Sequence, residues 1–84
     1  MVINLSSLIT KQEDRKLYDE RHGGPFDRGS ADSWYGRGMN PHYYTGDTSQ
    51  SKEVAESAMT EAEILAYHAG YMYNEKFGGK KDYN

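Results

Sequence analysis

Hydrophobic positions are sparse along this chain, and its C-terminal third repeats them most clearly. Ile64, Leu65, His68, Tyr71 and Met72, followed by Glu75 or Lys76, recur at spacings of three and four, which lays them along one side of an α-helix. Thr60-Glu61-Ala62-Glu63 has the form of a capping box. The threonine oxygen takes the third helical amide, and Glu63 reaches back to the cap. Acidic residues crowd the first turn and Lys76 stands in the last, matching the helix dipole. Gly78-Gly79 then ends the pattern, so a helix is predicted over about 61–77.

The rest of the chain reads less sharply. Val2, Ile3, Leu5, Leu8 and Ile9 give an apolar start, with Ser6 or Ser7 as an N-cap for a charged helix from Lys11 to Arg21. That helix has only a narrow apolar stripe of Ile9, Leu17 and Tyr18, with Arg15 and Asp19 one turn apart. Gly23-Gly24-Pro25 terminates it. Asp27 or Ser30 is placed to cap a short helix over Ala31 to Tyr35, stopped by Gly36 and Gly38. Asn40-Pro41 has the form of an N-cap followed by proline at the first helical position, which puts His42, Tyr43 and Tyr44 on one helical turn. A shorter helix from Ser51 to Ala58 is expected before the last one. The chain shows neither an internal repeat nor a low-complexity segment.

These elements predict a mainly α fold, a single small domain over 1–84 with two to four short helices around an aromatic-rich core. Residues 1–10 are expected to fray, 45–50 to form a flexible loop and 78–84 a basic tail. A chain of 84 residues buries only about 60% of its unfolded surface. Valine, isoleucine and leucine together number nine, so the core must draw on Trp34, Phe26, Phe77, four methionines and several of the eight tyrosines. Trp34, the largest apolar side chain, is expected inside it. Marginal stability follows, relieved by a partner or by self-association into a homo-oligomer.

Composition then narrows the chemistry. With no cysteine, disulfides and thiolate metal sites are excluded, which fits a reducing compartment. No run approaches the roughly 18 apolar residues of a membrane span, and the first residues lack the basic start of a signal peptide. A cytoplasmic protein without a membrane partner is the expectation. Net charge is −3, but unevenly spread: residues 45–75 carry a net of −5 and residues 76–84 a net of +2. An acidic total argues against a non-specific duplex-DNA binder.

No catalytic signature is present. His22, His42 and His68 sit in three separate elements without metal-ligand spacing, so no metal or cofactor is expected. Gly36-Arg37-Gly38 lacks the lysine and hydroxyl of a phosphate loop, and no serine has a nucleophile-elbow context. The chain reads as a non-enzyme. Its distinctive stretch is 28–44, which gathers the only tryptophan, three tyrosines, two arginines and Pro41-His42 within seventeen residues. Aromatic faces stack on unpaired bases and guanidinium planes brace phosphates. The candidate RNA or partner contacts are Arg28, Tyr35, Arg37, His42, Tyr43, Tyr44, Lys80 and Lys81. An alternative keeps Arg28 paired with Asp32, one helical turn on.

A family resemblance runs through the same residues. Phe26-Asp27-Arg28-Gly29-Ser30-Ala31-Asp32-Ser33-Trp34-Tyr35-Gly36-Arg37, Pro41-His42-Tyr43-Tyr44, Met59-Thr60-Glu61-Ala62-Glu63-Ile64 and Ala66-Tyr67-His68-Ala69-Gly70-Tyr71, with Asn74-Glu75 and Lys81-Asp82-Tyr83, resemble a set of small proteins of tailed bacteriophages over roughly residues 21–83. Such proteins often act against a host process or defence system, and one example is an RNA-binding inhibitor of a ribonuclease toxin. A weaker likeness, carried by Arg28-Gly29, Gly36-Arg37, Asn40-Pro41, Tyr43 or Tyr44, and Tyr67-His68-Ala69-Gly70-Tyr71, is to ribosome modulation factor, which binds ribosomal RNA. This chain departs from that factor in its acidity and in residues 45–58. Together these imply a phage-encoded RNA-binding antagonist of a host toxin or defence ribonuclease, in the cytoplasm of an infected bacterium. Two other readings stay open: a protein-binding inhibitor acting through Glu53, Glu56, Glu61 and Glu63, and a minor structural virion protein.

Overall fold

A computed structural model describes residues 7–46 and 50–81. The fold is mainly α. A 3-10 helix at Gln12–Leu17 leads to helix α1 (Pro25–Tyr35), strands β1 (His42–Tyr44) and β2 (Glu53–Ala55), a second 3-10 helix at Glu56–Ala58, and helix α2 (Glu61–Phe77). Residues 1–6, and with them Val2, Ile3 and Leu5 of the expected apolar start and Ser6, lie outside the described residues, as do 47–49 of the expected loop and 82–84 of the basic tail.

Helix α2 starts and ends where its pattern predicts. Thr60 Oγ1 accepts from the Glu63 amide at 3.1 Å, and the Thr60 amide donates to Glu63 Oε1 at 2.8 Å. The backbone bond to Thr60 and the hydroxyl of Tyr43 hold the Glu63 carboxyl below its ordinary range.

Helix α1 is longer than expected. Gly23-Gly24-Pro25 opens it, with Gly24 as N-cap and proline in the first turn. Proline fits there because its missing N–H is one that the first turn leaves unpaired. Asp27 does not cap from in front; it lies inside the first turn and accepts from the Gly23 amide at 2.9 Å. At the other end Gly36 turns left-handed at φ 69°. Its amide donates to Ser33 O at 3.1 Å and that of Arg37 to Asp32 O at 2.9 Å, the Schellman pattern.

The two helices meet through glycine. A Cβ on Gly29 would stand 2.0 Å from Tyr67 O, and one on Gly70 would stand 2.0 Å from Phe26 O. The backbones therefore touch, and the side chains between them are small or polar: Ser33, Ala69 and Asn74 are all buried. Ile9, Phe26 and Ala69 form the apolar core, with Leu8, Tyr18 and Tyr73 packed on it. Phe26 lies 5.5 Å from the Tyr18 ring and 5.9 Å from Tyr73. The N-terminal segment docks: Lys76 Nζ donates to Ile9 O, and Arg15 donates to the Tyr73 hydroxyl at 3.1 Å.

Four sequence expectations are corrected. The helix from Lys11 to Arg21 is one 3-10 stretch with no buried residue. Its stripe buries Ile9 ahead of the turn while Leu17 stands exposed, and Asp14 draws the first turn tight by accepting from Thr10 and Lys11. Arg15 pairs with Glu20 at 3.2 Å. His42-Tyr43-Tyr44 is a strand: it pairs antiparallel with β2, Tyr43 opposite Val54, and aromatic residues favour that geometry. The helix expected over Ser51 to Ala58 gives way to β2, held by its pairing with β1, and a 3-10 turn. Trp34 is 40% exposed. Phe26, Gly29 and Ser33 hold the face of α1 toward α2, and a glycine-spaced crossing leaves no room for an indole.

Candidate nucleic-acid interface

The C-terminal end of α1 and the segment after α2 come together as a ledge. Lys81 donates its amide to Trp34 O at 2.7 Å, and a Cβ on Gly79 would lie 3.2 Å from the indole. The segment that leaves α2 therefore runs along the tryptophan. Beside it Tyr35, also 40% exposed, is flanked by two cations. The Arg37 guanidinium lies 4.7 Å from its ring centroid and Lys81 Nζ 5.6 Å.

A buried polar network fixes these groups. Asp32 is 4% exposed; it accepts from the Tyr67 hydroxyl and from Arg37 Nε at 3.0 Å. The same hydroxyl accepts from the Asn40 amide at 2.9 Å. Burial, then the bond to Asp32, push the Tyr67 phenol well above its ordinary range. Ser33 donates to Glu75, and Asn74 Nδ2 donates to Ser33 Oγ and Gly79 O, both at 2.9 Å. Lys80 Nζ donates to Ser33 O at 2.9 Å and to Glu75. That bond to Lys80, with the one from Ser33, holds the Glu75 carboxyl low.

Charge on the ledge is thus graded. Arg37 and Lys80 each lean on a carboxylate but keep 53% and 55% of their side chains exposed. No carboxylate among the described residues pairs with Lys81. An arginine so placed is already flat and half-desolvated, so little order is lost when it meets a phosphate.

Four of the eight residues singled out in the sequence are brought together here: Tyr35, Arg37, Lys80 and Lys81. The other four are not. Arg28 is turned inward with 16% of its side chain exposed. It donates to Asp27 from Nε and Nη2, at 3.1 and 2.7 Å, and not to Asp32. The His42 side chain is 13% exposed. Its Nδ1 lies 2.7 Å from Asn40 O, and its ring packs on Tyr44 and Tyr67. Tyr43 is half-buried under Arg21 and bonded to Glu63. Tyr44 accepts from Arg21 at its carbonyl and faces Glu53.

No family model, curated protein or solved structure matches the chain. The site is therefore read from its own chemistry. Sequence reasoning placed Trp34 in the core, whereas it forms the floor of the ledge. The available signal was the spacing of small residues, Gly29 and Ser33 on one helix and Gly70 and Asn74 on the other, each pair four apart. Among the described residues no three His, Asp or Glu side chains gather as metal ligands. No helix of the described residues is long and apolar enough to cross a membrane.

Proposed function

We propose that this protein binds single-stranded RNA on the ledge of Trp34, Tyr35, Arg37, Lys80 and Lys81. On the phage-family resemblance, it acts as an antagonist of a host toxin or defence ribonuclease in the infected cell. One observation carries the RNA reading: the exposed ring of Tyr35 lies beside Arg37 and Lys81, with the exposed Trp34 next to it in the chain. Bases stack on the rings and phosphates lie against the cations, each stacked base being worth about 1–3 kcal/mol. The proposed role is binding.

Trp34 is the only tryptophan, so its emission reports the site directly. Titration with a single-stranded RNA oligonucleotide at low salt is expected to quench it saturably. Three phosphate contacts predict a salt slope of about −2 for log K against log salt. Tyr35→Ala is expected to weaken binding by about tenfold, and duplex DNA to compete poorly. An emission unchanged by RNA at high micromolar concentration overturns the reading.

A further inference from the structure

The hairpin carries a second surface that shares no residue with the ledge. In an antiparallel pair, residues alternate between those that bond across the ladder and those that point away. Thr45 donates to Lys52 O at 3.1 Å, whereas the Tyr44 amide turns outward to Gly23 O at 2.7 Å. The register pairs Tyr43 with Val54 and Tyr44 with Glu53. Val54 therefore bonds to β1, and the N–H and C=O of Glu53 and the N–H of Ala55 face the far side. On β1 the outward groups meet the glycine turn. On β2 none of the described residues covers them, and Glu53 and Ala55 are both exposed.

A cavity of about 470 Å³ lies on the face of the hairpin that presents His42, Glu53 and Ala55, next to that edge, and is lined in part by Asn40, Pro41, His42, Glu53, Ala55 and Glu56. Its polar groups are mostly acceptors. Glu53 and Glu56 bring carboxylates. His42 Nδ1 is set 2.7 Å from Asn40 O, to which it donates. Buried Asp32 stands 3.8 Å behind that ring. No lysine or arginine of the described residues lines the cavity.

We infer that the outer edge of β2 receives an extended segment of a protein partner, with an arginine seated between Glu53 and Glu56. Strand addition supplies main-chain bonds that any sequence can make, and the pocket beside the edge selects the side chain. A guanidinium brings five donors to a cleft of acceptors, and its aliphatic stem lies along Pro41. The arrangement would let the protein hold a basic strand or tail of another protein independently of RNA.

The test uses the full chain, uniformly labelled with nitrogen-15, and the capped pentapeptide Thr-Val-Arg-Val-Thr as probe. Expected are amide shifts centred on Glu53, Ala55 and Glu56 that saturate at millimolar peptide. Glu53→Gln combined with Glu56→Gln should weaken binding about tenfold, the worth of one charge-assisted bond. Both positions are exposed, and an otherwise unchanged spectrum shows the fold intact. A peptide with glutamate for arginine, or one N-methylated on alternate residues, should not bind. Absence of shifts overturns the inference, as do shifts elsewhere or equal binding of the glutamate or methylated peptide. A single-stranded RNA oligonucleotide added alone should move Trp34 and leave Glu53 and Ala55 in place. RNA shifts at β2 would overturn the peptide assignment, whereas loss of RNA binding at Trp34 leaves it standing.

Discussion

Replacing Gly70 with alanine tests the helix crossing on which the ledge depends. In an open helix the exchange stabilises by about 1 kcal/mol, because alanine gives up less backbone freedom. Here the new methyl would stand 2.0 Å from Phe26 O, 2.8 Å from its carbonyl carbon and 3.0 Å from its Cα. All three atoms are backbone, so no side chain can swing aside. Ordinary carbon contact requires the helices to part by about 1.5 Å. Overpacking of this kind costs about 1–3 kcal/mol. The parting also stretches the Asn74–Ser33 and Tyr67–Asp32 bonds, each worth about 1 kcal/mol. Set against the helix gain, the net loss is about 2–4 kcal/mol. A domain of this size holds about 4–12 kcal/mol in all. Thermal unfolding followed by far-UV circular dichroism should show a Tm lower by about 10 °C or more. Gly29→Ala should behave alike, and the double variant should lose less than the sum, since helices already parted accept the second methyl more cheaply. Ala62→Gly, exposed on α2, should cost only about 1 kcal/mol. A Gly70→Ala protein as stable as the parent would refute the crossing.

Other outcomes follow from single groups. Thr60→Ala removes the cap of α2 and should cost about 1 kcal/mol, read in urea unfolding; an unchanged midpoint would show the cap idle. Tyr67→Phe leaves Asp32 and the Asn40 amide short of a partner and should cost about 1–3 kcal/mol. It should also loosen Arg37, measured as weaker RNA quenching of Trp34. Burial holds the His68 imidazole below its ordinary pKa of 6.5, with Glu56 opposing in part, and its buried Nδ1 has no hydrogen-bond partner among the described residues. The unfolded chain then binds the proton more readily. Stability is full above about pH 6.5 and is lost as pH falls toward the folded pKa. His68→Leu should flatten Tm between pH 7 and pH 5; a slope that survives the exchange would place its origin elsewhere.

Much of the fold was legible in local signals. The Thr60 box, the Gly78 stop and the periodic face of α2 act within one or two turns, so reading them needs no knowledge of what packs on the helix. Gly36, too, was readable as a helix stop. The Gly23-Gly24-Pro25 junction was legible as a break, but its second meaning, the start of α1, depended on Asp27 reaching back to Gly23. The hairpin was not legible. Asn40-Pro41 carries a helix-start signal, and only the pairing of Tyr43 with Val54, eleven residues on, makes the aromatic pair a strand.

Of the candidate surface, the residue types were evident and their grouping was not. Residues 28–44 by themselves determined that the protein carries arginine and aromatic side chains dense enough for recognition. Tertiary structure decided which of them face outward. Glycine at 29 and 70 lets the helices touch, and that closeness expels Trp34 from the core. The same closeness aligns Ser33 with Asn74 and Glu75, which tether Lys80 and draw the C-terminal segment onto the indole. Arg28 and His42 are turned inward by their bonds to Asp27 and Asn40, whereas Arg37, though bonded to Asp32, keeps half its side chain exposed. Backbone contact between two helices is a property of the pair, and neither helix alone encodes it.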